Sequence, residues 1–256
     1  MKNAIVIGRG MVGNATMKSL GIEKYISKNK NNVEGEAITY YKYIFICLPT
    51  PTIDGDQDLS VIEEYLKLIS LGYRDNVVII RSTVLPETCG LWSKKYNMPI
   101  VHVPEFLTES TWESDCVWPD IVVIGADEEE IRNEVAGIFK ARFKGASYFL
   151  TDTITSETIK YAINTFYATK VIFANQIFDI SNKIGANYET IKKALYSRKW
   201  IGKNHLDIWH NGGRGAGGKC LLKDLSAFSK YSQLPLLKVA NELNKGLVVK
   251  YPKNEN

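Results

Sequence analysis

No two cysteines in the 256-residue chain form a CxxC pair, and the four present (Cys47, Cys89, Cys116 and Cys220) lie far apart. That spacing argues against a zinc site and a disulfide framework and fits a reducing, cytoplasmic setting. No apolar run approaches the roughly 20 residues that a membrane-spanning helix needs. The opening "MKNAIVIGRG" has no signal-peptide cleavage pattern, and no internal repeat or low-complexity tract occurs. Charge of one sign is barely in excess. Thirty-two lysines and arginines face 28 acids, a net charge of +4. That excess is too small and too dispersed for a nucleic-acid surface, yet it suits an anionic cofactor or substrate. Hydrophobic residues (45%) and charged residues (23%) are those of a soluble globule with a sizeable core.

What is there divides into two textures. Residues 1–150 alternate short β-rich runs with helical stretches, the pattern of an α/β, Rossmann-type doubly wound parallel sheet. "NAIVIG" (3–8), "YIFICL" (43–48), "NVVIIRS" (76–82), "PIVHV" (99–103) and "DIVVIG" (120–125) read as buried strands, with "SYFL" (147–150) at the edge. Residues 60–71 and 129–143 have helical spacing. From Thr151 an all-helical domain follows (151–256), dominated by one long central helix over 152–184 that starts near a Thr/Ser cap and stops at Gly185. A helix of that length needs a partner for its second face, so a homodimer through it is expected. The tail "YPKNEN" reads as frayed. The expected organisation is a dinucleotide-binding domain over 1–150 and a helical dimerisation and catalytic domain over 151–256.

Directly after the first strand stands "GRGMVG", with Gly8, Gly10 and Gly13 leading into a helix. The first glycine allows a tight turn, the second lets backbone approach a pyrophosphate, and the third lets helix and strand pack closely. The helix N-terminus then faces the phosphates. An acid about 20 residues on, which would hold the adenosine ribose, is not obvious. "EKYISKNKNN" (23–32) offers Ser27, Lys28, Asn29 and Lys30, with Glu34 and Glu36 beyond. One reading is a solvated basic loop with NAD as the cofactor. The other has Lys28 or Lys30 meeting a 2′-phosphate, which makes NADP possible.

Three polar pairs stand four residues apart: Lys160 and Asn164, Cys220 and Asp224, Glu105 and Glu109. On a helix each pair shares a face. Singly they have plain explanations: a surface pair, a core cysteine near a cap, two exposed glutamates. The oddest setting is Cys220 in "GAGGKCLLKD", among glycines and lysines instead of apolar neighbours.

In order, "FICLPTP", "STVLPET", "VPEFLTES", "SETIKYAINTFYATK" and "GAGGKCLLKD" resemble the UDP-glucose/GDP-mannose dehydrogenase family over about residues 3–248. The resemblance implies NAD-dependent oxidation of a primary alcohol on a nucleotide sugar (UDP-glucose-like) to the carboxylate, in two hydride transfers. It implies Cys220 as the nucleophile of a thiohemiacetal and thioester, Lys160 and Asn164 on the oxyanion, and Asp224 orienting a water or the base. Glu105 would be the general acid/base, poised near neutrality, and Thr83 would hold a water by the nicotinamide. Cofactor contacts would come from Gly8, Gly10, Met11, Val12, Gly13, Pro49, Thr50, Ser82, Thr83 and Lys223, with Glu109 as a cofactor-side or structural acid. Phe106, Leu107, Lys160, Asn164, Gly215, Gly217 and Gly218 would line the substrate. No metal, nucleic acid or membrane is implied.

The residue types support that chemistry independently. A thiolate adduct turns an aldehyde into a hydride donor, and Lys219, Lys223 and a helix N-terminus would favour the thiolate. An ammonium and a carboxamide are typical stabilisers of an oxyanion. The glycines around Cys220 would leave space for a ligand.

The chain also departs from the family pattern. The family's third, nucleotide-sugar-binding domain has no counterpart here. A helix after the second strand is missing. Ala216, Lys219 and Leu222 replace a phenylalanine, the residue before the cysteine, and a proline, and Arg214 and Lys219 could compensate by meeting a phosphate. Two other readings therefore stand beside the first: a one-step 3-hydroxyacid dehydrogenase of the 6-phosphogluconate-like group, in which Cys220 is dispensable, and a non-catalytic nucleotide-binding remnant. His102 reads as a satisfied core or rim residue. Trp112, Trp118, Trp200 and Trp209 read as packing, with a stacking role open for Trp209.

Overall fold

A computed structural model describes residues 1–28, 30–33 and 37–253, and the chain divides into two compact units. The first comprises Met1–Pro51 with Gln57–Lys160, and the second Thr52–Asp56 with Tyr161–Asn256. In chain order the elements begin with β1 (Ala4–Ile7), α1 (Met11–Leu20), β2 (Lys24–Ser27), β3 (Lys30–Asn31) and β4 (Tyr43–Ile46). Next come the short strands β5 (Thr52–Ile53) and β6 (Asp56–Gln57), then α2 (Ser60–Leu71), β7 (Val77–Ile80), α3 (Thr88–Tyr96) and β8 (Ile100–His102). The first unit's sheet is completed after α4 (Trp112–Asp115) by β9 (Ile121–Gly125), α5 (Glu129–Arg142) and β10 (Ser147–Thr151). Four helices follow: α6 (Thr153–Ile184), α7 (Tyr188–Tyr196), α8 (Gly218–Ser232) and α9 (Pro235–Lys250).

The sheet order is β10-β9-β8-β7-β4-β1-β2-β3. Its inner strands are unbroken apolar runs, AIVI, YIFI and VVII, because both faces are covered. Alternate residues serve opposite cores. Val6, Phe45 and Ile79 pack with Val135 and Phe139 of α5. Ile7, Ile46 and Ile80 pack with Ile62, Leu66 and Ile69 of α2. Burying each such side chain contributes about 1.5–3 kcal/mol. Among the described residues no α-helix lies between β2 and β4, in line with the missing helix read from the sequence.

The sheet is not wholly parallel. β8 meets β9 antiparallel at His102↔Gly125, and β2 meets β3 antiparallel at Ile26↔Asn31 and Ser27↔Lys30. A parallel pair requires a crossover, usually a full helix. The link from β8 to β9 carries only the four-residue α4.

The long helix is present over Thr153–Ile184 and stops before Gly185, whose φ of 74° suits a left-handed end. Its cap is not a hydroxyl, as the sequence suggested, but Asp152. That carboxylate accepts the Thr155 N–H at 2.7 Å, and its charge also complements the helix dipole.

In the second unit Asn187 caps α7, and Tyr188, Leu206, Ile208 and Ala174 form a small core. Arg214 is buried. Its Nε donates to Asn175 Oδ1 at 2.8 Å, and another guanidinium nitrogen donates to Asp179 at 2.6 Å, with the Tyr251 and Phe178 rings against it. The expected phosphate contact from Arg214 is therefore corrected: its donors are committed within the fold. Lys219's side chain lies outside the described residues. The tail is packed, not frayed, as far as Lys253, and Tyr251 O accepts the Arg214 N–H at 3.1 Å. Residues 254–256 lie outside the described residues. Trp118 and Trp200 are exposed, against the packing expected of them. No helix among the described residues is long and apolar enough to cross a membrane.

Candidate functional site

At the carboxyl end of β1 the sheet reverses its winding, with β2 on one side and β4 on the other. Such a switch point leaves a crevice beyond the strand ends. Gly8 turns there with φ 95°, and a Cβ on it would stand 2.5 Å from the Cys47 carbonyl oxygen. A Cβ on Gly13 would stand 1.8 Å from Gly8 O, so α1 can approach β1 only through a glycine. A Cβ on Gly10 would meet nothing within 4 Å, and α1 begins there with no side-chain cap. Close-packed first and third glycines, an open second one and an uncapped first turn carrying Met11 and Val12 are the features a pyrophosphate needs.

Beside it, the loop after β4 and the loop after β7 are tied together. Thr50 Oγ1 donates to Thr83 O at 2.9 Å, Ser82 Oγ donates to Leu48 O at 2.6 Å, and Gln57 Nε2 donates to Thr83 O at 3.3 Å. Pro49 is exposed between them.

Glu105 and Glu109 do not share a helical face, because residues 103–110 are irregular. Glu109 is exposed on a turn, whereas Glu105 is buried. Lys160 Nζ donates to Glu105 O at 2.6 Å and pairs with Oε1 at 3.3 Å, and Glu105 Oε2 accepts the Leu107 N–H at 2.7 Å. The Phe106 ring lies 5.2 Å from Nζ. Burial by itself would raise the Glu105 carboxyl. The Lys160 ammonium, the Leu107 N–H and Arg81 outweigh it and hold the group below the usual carboxylate range. The near-neutral poise expected of Glu105 is corrected accordingly: the group is held as a carboxylate.

Three further groups, half-buried Arg81 and buried His102 and Glu157, carry no motif. Arg81 donates to Val103 O at 3.0 Å. His102 is a buried core residue whose Nδ1 sits against Ser156 Oγ at 2.8 Å. Burial lowers its pKa to about 3, which keeps it neutral. Glu157 is buried and accepts the Cys89 N–H at the start of α3 at 2.7 Å. The available signal was a polar stripe on α6 (Thr153, Glu157, Lys160, Asn164) at the spacing where apolar residues would be expected.

Burial raises Glu157 to about 7, assisted by the Asp127 carboxylate. The proton is thus held more tightly in the folded chain than in the unfolded one, where the ordinary value is 4.5. Stability from this group is full below that value and declines as pH rises to 7, by about 3 kcal/mol. Glu157→Gln is expected to abolish this decline when urea midpoints are measured from pH 4.5 to 8. An unchanged slope would show that Glu157 does not hold the proton.

In the second unit, Cys220 and Asp224 lie one turn apart on α8, with Cys220 half-buried in the first turn. Asp224 is buried. It accepts from Asn164 Nδ2 at 2.6 Å and from Lys223 Nζ at 2.5 Å. The glycines before α8 do not leave the open space expected of them. A Cβ on Gly215 (φ 89°) would stand 2.9 Å from Asn244 Oδ1, and one on Gly213 would stand 2.6 Å from the Lys253 backbone. At Gly217 the Lys253 side chain fills the position. These residues let the loop close on α9 and the tail, while Gly218 is exposed at the helix start. The other cysteines suit inert thiols, since burial pushes Cys47 to about 11 and raises Cys89 and Cys116. Among the described residues no cluster of histidine, cysteine and acids could hold a metal.

Residues 22–143 match the NAD binding domain of the UDP-glucose/GDP-mannose dehydrogenase family, and residues 154–245 match its central domain. UDP-glucose 6-dehydrogenase of Rickettsia felis is 34% identical over 206 residues, covering 77% of this chain and 45% of the relative. UDP-glucose 6-dehydrogenase YwqF of Bacillus subtilis is 33% identical over 224 residues, covering 81% and 50%. The chain thus spans about half the length of these relatives. A UDP-glucose dehydrogenase structure from Pyrobaculum islandicum shares the fold with a TM-score of 0.84 at 24% identity, covering 96% of this chain and 68% of that one. With two successive domains matched over most of its length, the chain belongs to the UDP-glucose/GDP-mannose dehydrogenase family.

Proposed function

We propose that the chain is a NAD-dependent nucleotide-sugar 6-dehydrogenase, which oxidises the primary alcohol of a UDP-glucose-like substrate to the carboxylate. The bound dinucleotide supplies the hydride acceptor. Gly8, Gly10, Met11, Val12 and Gly13 would hold its pyrophosphate, while Pro49, Thr50, Ser82 and Thr83 would border it, with Thr83 keeping a water in place. Residues 1–150 would form this cofactor domain and 151–256 the catalytic and dimerising one.

The observation that carries the reading is the buried Asn164–Asp224 hydrogen bond, one helical turn from Cys220. It fixes a carboxamide of α6 against the helix bearing the thiol. The first turn of α8 has no side-chain cap and no acid, so the helix dipole there favours negative charge at the sulfur.

In the first step the alcohol loses a proton to a base and a hydride to NAD⁺. The Cys220 sulfur then bonds to the aldehyde carbon, and the oxyanion lies with Lys160 and Asn164. Loss of a second hydride to a second NAD⁺ leaves a thioester. Glu105, ionised, takes a proton from water, which breaks the C–S bond and returns the thiol. Per sugar, one water is consumed and two NAD⁺ are reduced.

Phe106, Leu107 and Gly218 would line the sugar. Exposed Phe166, Phe173 and Ile180, seven residues apart on α6, support a homodimer through that helix. The buried free thiols Cys47, Cys89 and Cys116 support a cytoplasmic, reducing setting. The test is NADH released from a panel of UDP- and GDP-sugars, with acid measured in parallel. Two NADH per acid on at least one sugar is expected. A ratio of one, or no turnover on any of them, would contradict the proposal.

A further inference from the structure

The adenosine end of the cofactor site carries the opposite charge from the one a plain ribose calls for. A dinucleotide fold that holds an unmodified ribose places a carboxylate at the end of its second strand, about 20 residues past the first glycine, to accept from the 2′-hydroxyl. Here that position is Lys28, exposed in the turn after Ser27 ends β2. The register is fixed. Ile7 lies beside Ile26, and the Gly8 N–H donates to Ile26 O at 2.8 Å, so the turn after β2 lies alongside Gly8 and Arg9 of the phosphate loop.

Arg9 is itself held in place. One guanidinium nitrogen donates to the Tyr25 hydroxyl at 2.9 Å, and Nε donates to Asn14 Oδ1 at 3.2 Å. The guanidinium carbon lies 4.4 Å from the centre of the Tyr25 ring, and that ring is buried. Neither Asn14 nor Tyr25 offers a carboxylate. Among the described residues from Gly8 to Val33 the one acid is Glu23, which precedes β2 at its far end. Among the described residues no carboxylate is recorded against the guanidinium, and Lys28 stands in the turn that runs alongside Arg9. Lys30's side chain, Glu34 and Glu36 lie outside the described residues.

We propose that Arg9 and Lys28, with the hydroxyl-bearing Ser27 between them in the fold, form a 2′-phosphate site, so that this chain accepts NADP in addition to NAD and binds the phosphorylated form more tightly. A planar guanidinium braced on an aromatic ring is suited to a phosphate, and Lys28 adds a point charge. Both cations face water, so each contributes about fivefold in affinity, screened by salt.

The inference rests on reading the glycine loop as a dinucleotide site, and the test separates the two. Binding of 5′-AMP, 2′,5′-ADP, ADP-ribose and 2′-phospho-ADP-ribose to the purified chain is measured by calorimetry at low and high salt, with no turnover required. The 2′-phosphorylated member of each pair is expected to bind at least about fivefold tighter, with the gap shrinking as salt rises. Lys28→Asp is expected to weaken binding of the 2′-phosphorylated member of each pair by at least about fivefold, and not to weaken ADP-ribose, whose 2′-hydroxyl can donate to the new carboxylate. Equal binding of the two forms, or tighter binding of ADP-ribose, overturns the 2′-phosphate site and leaves the NAD reading standing. Binding of none of the four overturns both.

Discussion

Cys220→Ser is expected to lower carboxylate formation from a nucleotide sugar by on the order of 10³-fold or more, while cofactor affinity stays unchanged. The sulfur is asked to keep an oxidised carbon in tetrahedral form so that it can release a second hydride, and an oxygen nucleophile at that place is far weaker. The first oxidation does not need the sulfur. Traces of aldehyde-level product are therefore expected from the variant, detectable with a carbonyl-trapping reagent. The position on α8 strengthens the expectation: the thiol stands in an uncapped first turn, and Asp224, one turn on, is buried and hydrogen-bonded to Asn164. A Cys220→Ala chain with undiminished turnover at one NADH per substrate would instead favour the one-step hydroxyacid reading.

The second large effect concerns Lys160. Lys160→Met is expected to destabilise the chain by about 3–5 kcal/mol, because it leaves the Glu105 carboxylate buried without its main counter-charge. The same substitution should raise the Glu105 carboxyl, since burial would then prevail over the remaining Leu107 N–H and Arg81. Urea denaturation reads the stability loss. The double variant Lys160→Met with Glu105→Gln is expected to recover most of the stability, because no uncompensated buried charge remains, and to recover no activity. Recovery of both would mean that the pair is only structural.

Much of the architecture was legible because its signals are local. The apolar β-branched runs gave β1, β4, β7, β8 and β9 but not β2, and the absence of proline and glycine over 151–184 gave the long helix. What escaped was long-range. The antiparallel β8–β9 pairing depends on the connection between the strands, and no strand's own composition records it. The glycines before Cys220 suggested room for a ligand, yet the space beside Gly213, Gly215 and Gly217 is taken by α9 and the tail, more than 25 residues away in sequence by the numbering. Glu105 was visible as a motif residue, but its charge state depends on Lys160, 55 positions later. Glu157 had no motif to mark it. Only burial against the start of α3 gives it a proton near neutrality.

The most direct measurement is the mass of the peptide bearing Cys220 from Glu105→Gln chains acid-quenched during incubation with a nucleotide sugar and NAD⁺. Removing the base that activates water should leave the thioester in place, so Cys220 is expected to carry the substrate mass less four hydrogens, the sum of two hydrides and two protons. An unmodified Cys220 in chains that have released two NADH per site would contradict the account.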